Sequence, residues 1–164
     1  MMVGAALDAA DIRILSAIQQ HGRLSKARLA ERVNLSPTPC WTRLTRLERA
    51  GLIRGYHADI ALARLADVFT IVVTVSLGNH SKRSQERFEQ HIQQCDEVVE
   101  CIATGGGMDY VLKFVSPSLA AFQQTMDGLL TAELGIDRYM TYIATREIKS
   151  IQPDVARLFD ARRR

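Results

Sequence analysis

The feature that most constrains the fold is a change in hydrophobic period along the chain. As far as Gly51, apolar side chains recur every three or four residues, which places them on one face of a helix. From Phe69 to Leu77, apolar side chains largely alternate with polar ones, as in a strand that buries one face. The chain of 164 residues therefore predicts two architectures, a helical first part and a second part built on a sheet.

Three short helices separated by tight turns are predicted in the first part. Asp8 and Ser36 are residue types that cap the starts of helices. Asn34 and Gly51 suit the turns that end the second and third helices, because both residue types tolerate a left-handed backbone. Residues 53–58 then indicate either a short β wing or the start of a linker.

The third helix has the pattern of the DNA-reading helix in a helix-turn-helix pair. Cys40, Leu44 and Leu47 repeat on one face and are expected to point into the core. In this motif the opposite face enters the major groove, with its N-terminal residues nearest the bases. The candidate DNA-binding residues are Ser36, Pro37, Thr38, Thr42, Arg43, Arg46 and Arg49.

Two interpretations of the basic face of this helix remain open. Arg43, Arg46 and Arg49 could contact guanine edges or phosphates, or they could form an ordinary solvated face. The charge distribution favours DNA, since residues 1–66 hold 10 Lys and Arg against 5 Asp and Glu, whereas residues 67–164 hold 11 against 13. A basic first part joined to a mildly acidic remainder indicates that the first part meets a polyanion.

The second part follows the order β-α-β-β-α-β. Strands are predicted at 69–77, 98–103, 110–115 and about 138–148, with helices at 83–95 and after Ser118. This order predicts an α+β chain whose second domain is ferredoxin-like, a sheet with both helices on one face. The other face is expected to pack against a second copy of the chain, because its side chains are largely uncharged: Val72, Val111, Val115, Met140 and Ala144.

Short motifs along the whole chain carry a resemblance to a known family. They include Gly22-Arg23-Leu24-Ser25, Leu35-Ser36-Pro37-Thr38-Pro39-Cys40, Gly51-Leu52-Ile53, Ala103-Thr104-Gly105, Asp109-Tyr110-Val111-Leu112 and Arg146-Glu147-Ile148-Lys149. This set resembles the Lrp/AsnC (feast/famine) transcriptional regulators. The resemblance implies a winged helix-turn-helix joined to a βαββαβ amino-acid-sensing domain, in homodimers that assemble further, often to octamers.

The period change and the resemblance together predict how the chain is divided. We expect a DNA-binding domain at 1–57, a linker at 58–67, an effector-binding and oligomerisation domain at 68–150, and a C-terminal tail at 151–164. The expected partners are double-stranded DNA, a small amino-acid-type effector and further copies of the chain.

The loop from Gly105 to Asp109 is the candidate effector site that the resemblance implies. Glycines let backbone N–H groups approach a carboxylate, and Asp109 could accept hydrogen bonds from an ammonium group. The alternative is a plain hairpin loop with a solvated aspartate. The candidate effector-binding residues, in a cleft shared between neighbouring dimers, are Gly105, Gly107, Asp109, Tyr110 and Thr141.

Other classes of function find little support in the sequence. The glycine run at 105–107 does not lead into Lys and Ser or Thr, as a phosphate-binding loop does. His91 and Cys95 could share a metal ion, but no third ligand follows at a suggestive spacing. We therefore expect no enzyme, no metal and no cofactor. An architectural DNA-bridging protein without an effector remains the alternative to a regulator.

The compartment predicted for the chain is the cytoplasm. No apolar run approaches the roughly 18 residues that a membrane-spanning helix needs. The chain has 3 cysteines, an odd number without a paired framework, which argues for a reducing environment.

Overall fold

The computed structural model describes residues 7–161, which form two compact units. One unit contains residues 7–60 together with 150–161, and the other is Ala61–Lys149. In chain order the helices are α1 (Ala9–Gln20), α2 (Lys26–Arg32), α3 (Pro37–Arg49), α4 (Lys82–Ile92), α5 (Leu119–Thr131) and α6 (Val155–Ala161). The strands are β1 (Phe69–Leu77), β2 (Val98–Ala103), β3 (Tyr110–Ser116) and β4 (Ile136–Ile143). None of the helices within residues 7–161 is long and apolar enough to cross a membrane.

The first unit is built around the inward faces of α1, α2 and α3. Ile14, Val33 and Leu47 are almost fully buried at its centre, and Cys40 and Leu44 complete the stripe of α3. Burying an apolar side chain of this size contributes roughly 1.5–3 kcal/mol, so this small cluster fixes how the three helices meet. The inward face predicted for α3 is confirmed.

The turns predicted at Asn34 and Gly51 are also confirmed. Both residues have a positive φ, 53° at Asn34 and 69° at Gly51. The left-handed backbone at Asn34 lets the N–H of Leu35 bond to a carbonyl of α2 while the chain changes direction into α3. This turn sets α3 against α2 as the second helix of a helix-turn-helix pair.

The starts of α1 and α3 are capped differently. At α1 the side chain of Asp8 accepts from the N–H of Asp11, and the side chain of Asp11 accepts from the N–H of Asp8. At α3, Ser36 occupies the capping position with an extended backbone, but its hydroxyl makes no capping hydrogen bond. The expected bond is missing because a cap usually accepts from the second or third helical N–H, and Pro39 at the third position has none.

The segment after α3 forms no strand in the described part of the chain. Residues 53–60 run without regular structure, so the structure favours the start of a linker over a β wing in this segment. A strand needs a partner, and the four strands of the second unit pair with one another. The segment is fastened to α3 by Tyr56, whose hydroxyl donates to Glu48 Oε1 at 2.7 Å. Burial and this bond raise the pKa of Tyr56 to about 12.

The segment predicted as a tail contains α6, which contacts α1. Gln19 fastens it, because its Nε2 donates to the carbonyl of Pro153 and its Oε1 accepts from the N–H of Val155. Residues 1–6 of the predicted first domain and 162–164 of the predicted tail lie outside the described residues.

The second unit is a four-stranded antiparallel sheet in the order β2-β3-β1-β4. Helices α4 and α5 cover one face, where Phe88 and Phe122 meet the inward residues of β1 and β3, including Phe114. This is the ferredoxin-like arrangement that the sequence predicts. Strand β4 ends at Ile143 rather than near residue 148, since its partner β1 begins at Phe69.

The other face of the sheet carries no helix of its own unit. Val72 and Thr74 of β1 point to this open face, and their partners on β4 are Tyr142 and Met140. Tyr142 is 52% exposed, and the hydroxyl of Thr74 is shielded from solvent without a hydrogen-bond partner. A largely apolar surface of this kind is unusual on an isolated monomer.

Candidate nucleic-acid interface and effector loop

The outward face of α3 gathers most of the predicted DNA-binding residues around one cleft. The cleft has a volume of about 490 Å³. It is lined by Asp8, Thr38, Pro39, Thr42, Arg43 and Arg46. Arg49 lies on the exposed part of the same helix, one turn beyond the lining residues. The structure thus brings four of the seven predicted residues to the cleft: Thr38, Thr42, Arg43 and Arg46.

The arginines of this face are ion-paired with the start of α1. Arg43 Nη1 lies 2.7 Å from Asp8 Oδ2 and 2.9 Å from Asp11 Oδ1. Arg46 Nη2 lies 2.6 Å from Asp11 Oδ2. The sequence prediction treated these arginines as a solvent-facing basic stripe and did not anticipate the carboxylates. The available signal was the pair of aspartates three residues apart in an otherwise basic segment.

Asp11 is the centre of this ionic cluster and is only 1% exposed. Burial by itself raises the pKa of a carboxyl group. Here the N–H of Asp8 and the guanidinium groups of Arg46 and Arg43 outweigh it, so the pKa of Asp11 lies below its ordinary value of 3.8. Because separating a buried carboxylate from its charged partners is strongly destabilising, Asp11 holds the two arginines in place.

Asp8 and Arg43 form the outer part of the cluster. The pKa of Asp8 is lowered, first by the N–H of Asp11 and then by Arg43. The same contact with Asp8, followed by that with Asp11, raises the pKa of Arg43. Two carboxylates therefore balance two guanidinium groups, and the other charged side chains of α3 are Glu48 and Arg49.

The start of α3 offers few backbone donors to an anion. Pro37 and Pro39 carry no N–H, and the N–H of Cys40 already donates to the carbonyl of Ser36. Thr38 supplies the one backbone N–H among the first three residues of the helix. The hydroxyl groups of Ser36, which makes no capping bond, and of Thr38 are further polar groups at this end.

Trp41 lies on the boundary between the α3 core and solvent. Its ring is covered by Lys26, whose Nζ is 3.4 Å from the ring centroid. Such a contact at an exposed site contributes roughly 0.5–1 kcal/mol, and here it joins the start of α2 to α3. Lys26 and Trp41 thus brace the helix pair beside the cleft.

Asp109, the predicted ammonium acceptor, is already occupied by groups of its own unit. Its Oδ2 accepts from the N–H of Leu77 at 2.7 Å and from the hydroxyl of Ser76 at 3.2 Å, while His80 Nδ1 lies 3.2 Å from Oδ1. The bond from Leu77 is the main reason that the pKa of Asp109 is lowered, with Ser76 and His80 adding to it. Asp109 therefore holds the predicted effector loop against the end of β1.

The glycines of this loop differ in what the backbone requires of them. Gly106 has a φ of 141°, a conformation that other residues rarely adopt. Gly105 and Gly107 have no such requirement, and a Cβ added at either would meet nothing within 4 Å. The fold does not need glycine at these two positions, which leaves open space beside the backbone.

Tyr110 and Thr141 do not join Asp109 at the loop surface. Tyr110 is 2% exposed, packs against Phe88 and donates to Glu89 Oε1 at 3.0 Å, so it supports the loop from the core. Burial and then Glu89 raise the pKa of Tyr110. Thr141 pairs with Val73 of β1, whereas the N–H of Asp109 reaches the carbonyl of Val75, two residues further along that strand.

Arg138 is a loop neighbour that the sequence prediction did not include. Its Nη2 lies 3.4 Å from the carbonyl of Gly107, at the start of β4. A cation beside glycine N–H groups is a suitable partner for a carboxylate. The contact joins residues 31 apart, and the local sequence offers no signal for it.

Comparison with known proteins matches both units. The model of the winged helix-turn-helix DNA-binding family matches residues 7–54, and that of the Lrp/AsnC ligand binding domain matches residues 70–153. The transcriptional regulatory protein DoeX of Halomonas elongata is 41% identical over 87% of this chain and 90% of its own length. The leucine-responsive regulatory protein of Escherichia coli strain K12 is 35% identical over 89% of each chain.

Solved structures agree with these matches. The complex of a Neisseria meningitidis transcriptional regulator with L-Met superimposes with a TM-score of 0.80 at 33% identity, over 89% of this chain and 94% of that one. An AsnC family transcriptional regulator from Agrobacterium tumefaciens gives 0.82 at 31% identity, over 90% and 95%.

The two units and these matches define a transcriptional regulator with a ligand-binding domain and a DNA-binding helix-turn-helix domain of the winged helix-turn-helix family. The relatives named above are regulators of transcription. The chain belongs to the Lrp/AsnC family.

The ionic cluster makes the stability of the first unit depend on acid pH. Because the pKa of Asp11 is lowered on folding, its contribution to stability is complete above about pH 4 and is lost as the pH falls through the folded value. We expect Asp11→Asn to be less stable than the wild type at neutral pH. The difference in free energy of unfolding between the two proteins, measured in urea, should become smaller below about pH 4.

Asp59→Asn, which removes an exposed carboxylate from the same unit, is the matched control and should follow the wild type at every pH. A gap between Asp11→Asn and the wild type that stays constant down to about pH 3 contradicts the account.

Proposed function

We propose that the outward face of α3 makes the sequence-specific DNA contacts of this regulator. The observation that carries the proposal is the single cleft that joins Thr38, Thr42, Arg43 and Arg46. Arginine can contact guanine through two parallel hydrogen bonds. Threonine can form a hydrogen bond with a base edge through its hydroxyl, or contact the methyl group of thymine through its own methyl group. Arg49, beyond the cleft, suits a phosphate contact that sets the register of the helix.

At the start of α3, Ser36 and Thr38 are the proposed phosphate contacts. The hydroxyl of Ser36 and the N–H and hydroxyl of Thr38 are polar groups that this end offers. Pro37 fixes the backbone at the first helical position, so its role is to set the direction of these groups rather than to donate.

Substitution of the cleft arginines tests this proposal. Arg43→Ala and Arg46→Ala should each weaken binding to a duplex that the wild-type protein selects from a random library. The expected loss is roughly 5- to 150-fold at fixed salt, because a bidentate arginine–base contact contributes about that much discrimination. Affinity is measured by fluorescence anisotropy of the labelled duplex.

Lys82→Ala is the charge-matched control, because it removes one exposed positive charge from the second unit. It should bind the selected duplex like the wild type. If both arginine variants also bind like the wild type, α3 does not read DNA in the way proposed.

For the second unit we propose an α-amino acid effector at the loop from Gly105 to Asp109. Support comes from the ligand-binding family model, from the L-Met complex of the Neisseria regulator and from the leucine-responsive relatives. The open space beside Gly105 and Gly107, together with the guanidinium group of Arg138, suits the carboxylate of such a ligand. Asp109 keeps the loop in shape. Tyr110 supports the loop from the core. Thr141 pairs with Val73, two residues along β1 from Val75, which accepts a hydrogen bond from the loop.

A methyl group at Gly107 should block this site without harming the fold. Gly107→Ala adds a side chain to open space on an unstrained backbone, so the thermal midpoint should stay unchanged. Affinity for the effector should fall at least about tenfold. Calorimetry with each standard L-amino acid, including L-Met and L-Leu, identifies the wild-type ligand first.

Gly22→Ala, also an addition to open space, is the control and should keep full affinity. Unchanged effector binding by Gly107→Ala excludes the loop as the site. If no amino acid binds the wild type or alters its DNA affinity, the architectural DNA-bridging alternative is favoured instead.

We also propose that the open face of the sheet is covered by a second copy of the chain. The face is largely apolar, and it leaves the Thr74 hydroxyl shielded without a partner. A homodimer across this face, with further assembly to an octamer, agrees with the oligomeric state that the family resemblance implies. We also propose that the regulator acts in the cytoplasm, a reducing compartment in which its cysteines would remain free thiols.

A lysine on the open face should split the dimer. Tyr142→Lys places a charge on this face, whereas Tyr139→Lys changes the same strand on its other face, opposite Val75. In sedimentation velocity experiments we expect monomers of Tyr142→Lys and wild-type assemblies of Tyr139→Lys. Retention of the wild-type dimer by Tyr142→Lys contradicts the proposed interface.

A further inference from the structure

The carboxylates at the start of α1 are an unexpected feature of a surface that meets DNA. Asp8 lines the same cleft as the arginines, and a carboxylate at this position repels phosphate. A solvated basic face would bind DNA without them. Their contacts with α3 therefore need an explanation beyond charge attraction to the duplex.

Asp11 contacts both arginines, one through each carboxylate oxygen. Oδ1 accepts from Arg43 Nη1, and Oδ2 accepts from Arg46 Nη2. The two guanidinium groups would otherwise repel each other and sample many rotamers, since arginine is a long and flexible side chain. Because Asp11 is buried in the first turn of α1, it fixes both groups relative to the body of the unit.

Asp8 occupies a different position in the same cluster. Its side chain is 51% exposed, and its contact with α3 is the one with Arg43 Nη1, an atom that it shares with Asp11. An exposed pair of this kind contributes little to stability and is screened by salt. Arg43 can therefore release Asp8 when a stronger anion, such as a DNA phosphate, enters the cleft.

We propose that the two aspartates tune DNA recognition in opposite directions. Asp11 is a positioning residue that holds Arg43 and Arg46 in the orientation used at base edges. Asp8 is an internal competitor that Arg43 exchanges for DNA. The start of α1 thus increases the preference for the selected sequence and limits affinity for DNA of any sequence. The inference rests on the proposed role of the arginines in DNA binding.

Capping of α1 is the competing explanation for both carboxylates. Asp8 and Asp11 exchange hydrogen bonds with each other's N–H groups, and this capping box stabilises the helix whether or not DNA is present. Asparagine can still accept these bonds through its amide oxygen while it removes the charge. Asp8→Asn and Asp11→Asn are therefore the variants that separate capping from pairing.

The test measures affinity for the selected duplex and for a scrambled duplex over a series of salt concentrations. Asp8→Asn should bind both duplexes about 2- to 10-fold more tightly, with a salt dependence steeper by about one phosphate contact. Asp11→Asn should lower the ratio of selected to scrambled affinity about 5- to 50-fold, and because it also removes a negative charge it should bind the scrambled duplex at least as tightly as the wild type. Unchanged affinities of Asp8→Asn, or an unchanged sequence preference of Asp11→Asn, overturn the proposal.

A double-mutant cycle distinguishes positioning from a structural role. In the background of Arg43→Gln with Arg46→Gln, whose amides can still donate to Asp11, Asp11→Asn should not change the preference for the selected duplex further, because it acts on that preference through the guanidinium groups. An equal loss in both backgrounds assigns Asp11 to helix capping alone. If Arg43→Ala and Arg46→Ala themselves bind normally, the proposed DNA contacts fail, and that outcome is distinct from the failure of this inference.

Arg46→Lys tests the same idea without touching the capping box. Lysine keeps the charge but lacks the planar fork that contacts both Asp11 and a base edge. We expect a reduced preference for the selected duplex with nearly unchanged affinity for the scrambled one. A full preference in Arg46→Lys contradicts the positioning role even where Asp11→Asn is too unstable to assay.

Discussion

The contact between Asp11 and two arginines of α3 is the interaction on which the DNA-binding unit depends. It buries one carboxylate, satisfies it with two guanidinium groups and a backbone N–H, and joins the start of α1 to the outward face of α3. Loss of both arginines would leave the Asp11 carboxylate without compensation in a site that water hardly reaches. The apolar cluster brings the helices together, and this contact sets where the basic side chains of α3 lie.

Such pairing changes how the basic surface of the unit should be understood. Positive charge attracts DNA of any sequence, whereas discrimination needs donors in fixed positions. The carboxylates cancel part of the positive potential of Arg43 and Arg46 and fix the orientation of these side chains. Arg49 lies outside this cluster. Asp109 has a comparable role in the second unit, where its carboxylate orders the loop from Gly105 to Asp109 through Leu77, Ser76 and His80. In both units an acidic side chain shapes the site that a ligand would approach.

Much of the fold follows from local patterns that the sequence displays. The hydrophobic period predicted the helices and strands, and the turns at Asn34 and Gly51 followed from their tolerance of a left-handed backbone. Contacts between distant residues were not predictable in this way, because pairs such as Asp11 with Arg46 or Gly107 with Arg138 arise only when the chain has folded. The absent cap bond of Ser36 lies between these cases. Pro39 is visible in the sequence, and its missing N–H removes one of the two usual capping partners of Ser36.

The state of the cluster when DNA is bound is the central question for this regulator. A crystal structure of the protein with its selected duplex answers it most directly, since the same atoms can be compared with and without DNA. We predict that α3 lies in the major groove, that Asp11 is still bonded to Arg43 and Arg46, and that a contact with DNA replaces the contact of Arg43 with Asp8. Arginines that leave Asp11 to reach the duplex, or a duplex bound away from α3, would contradict this prediction.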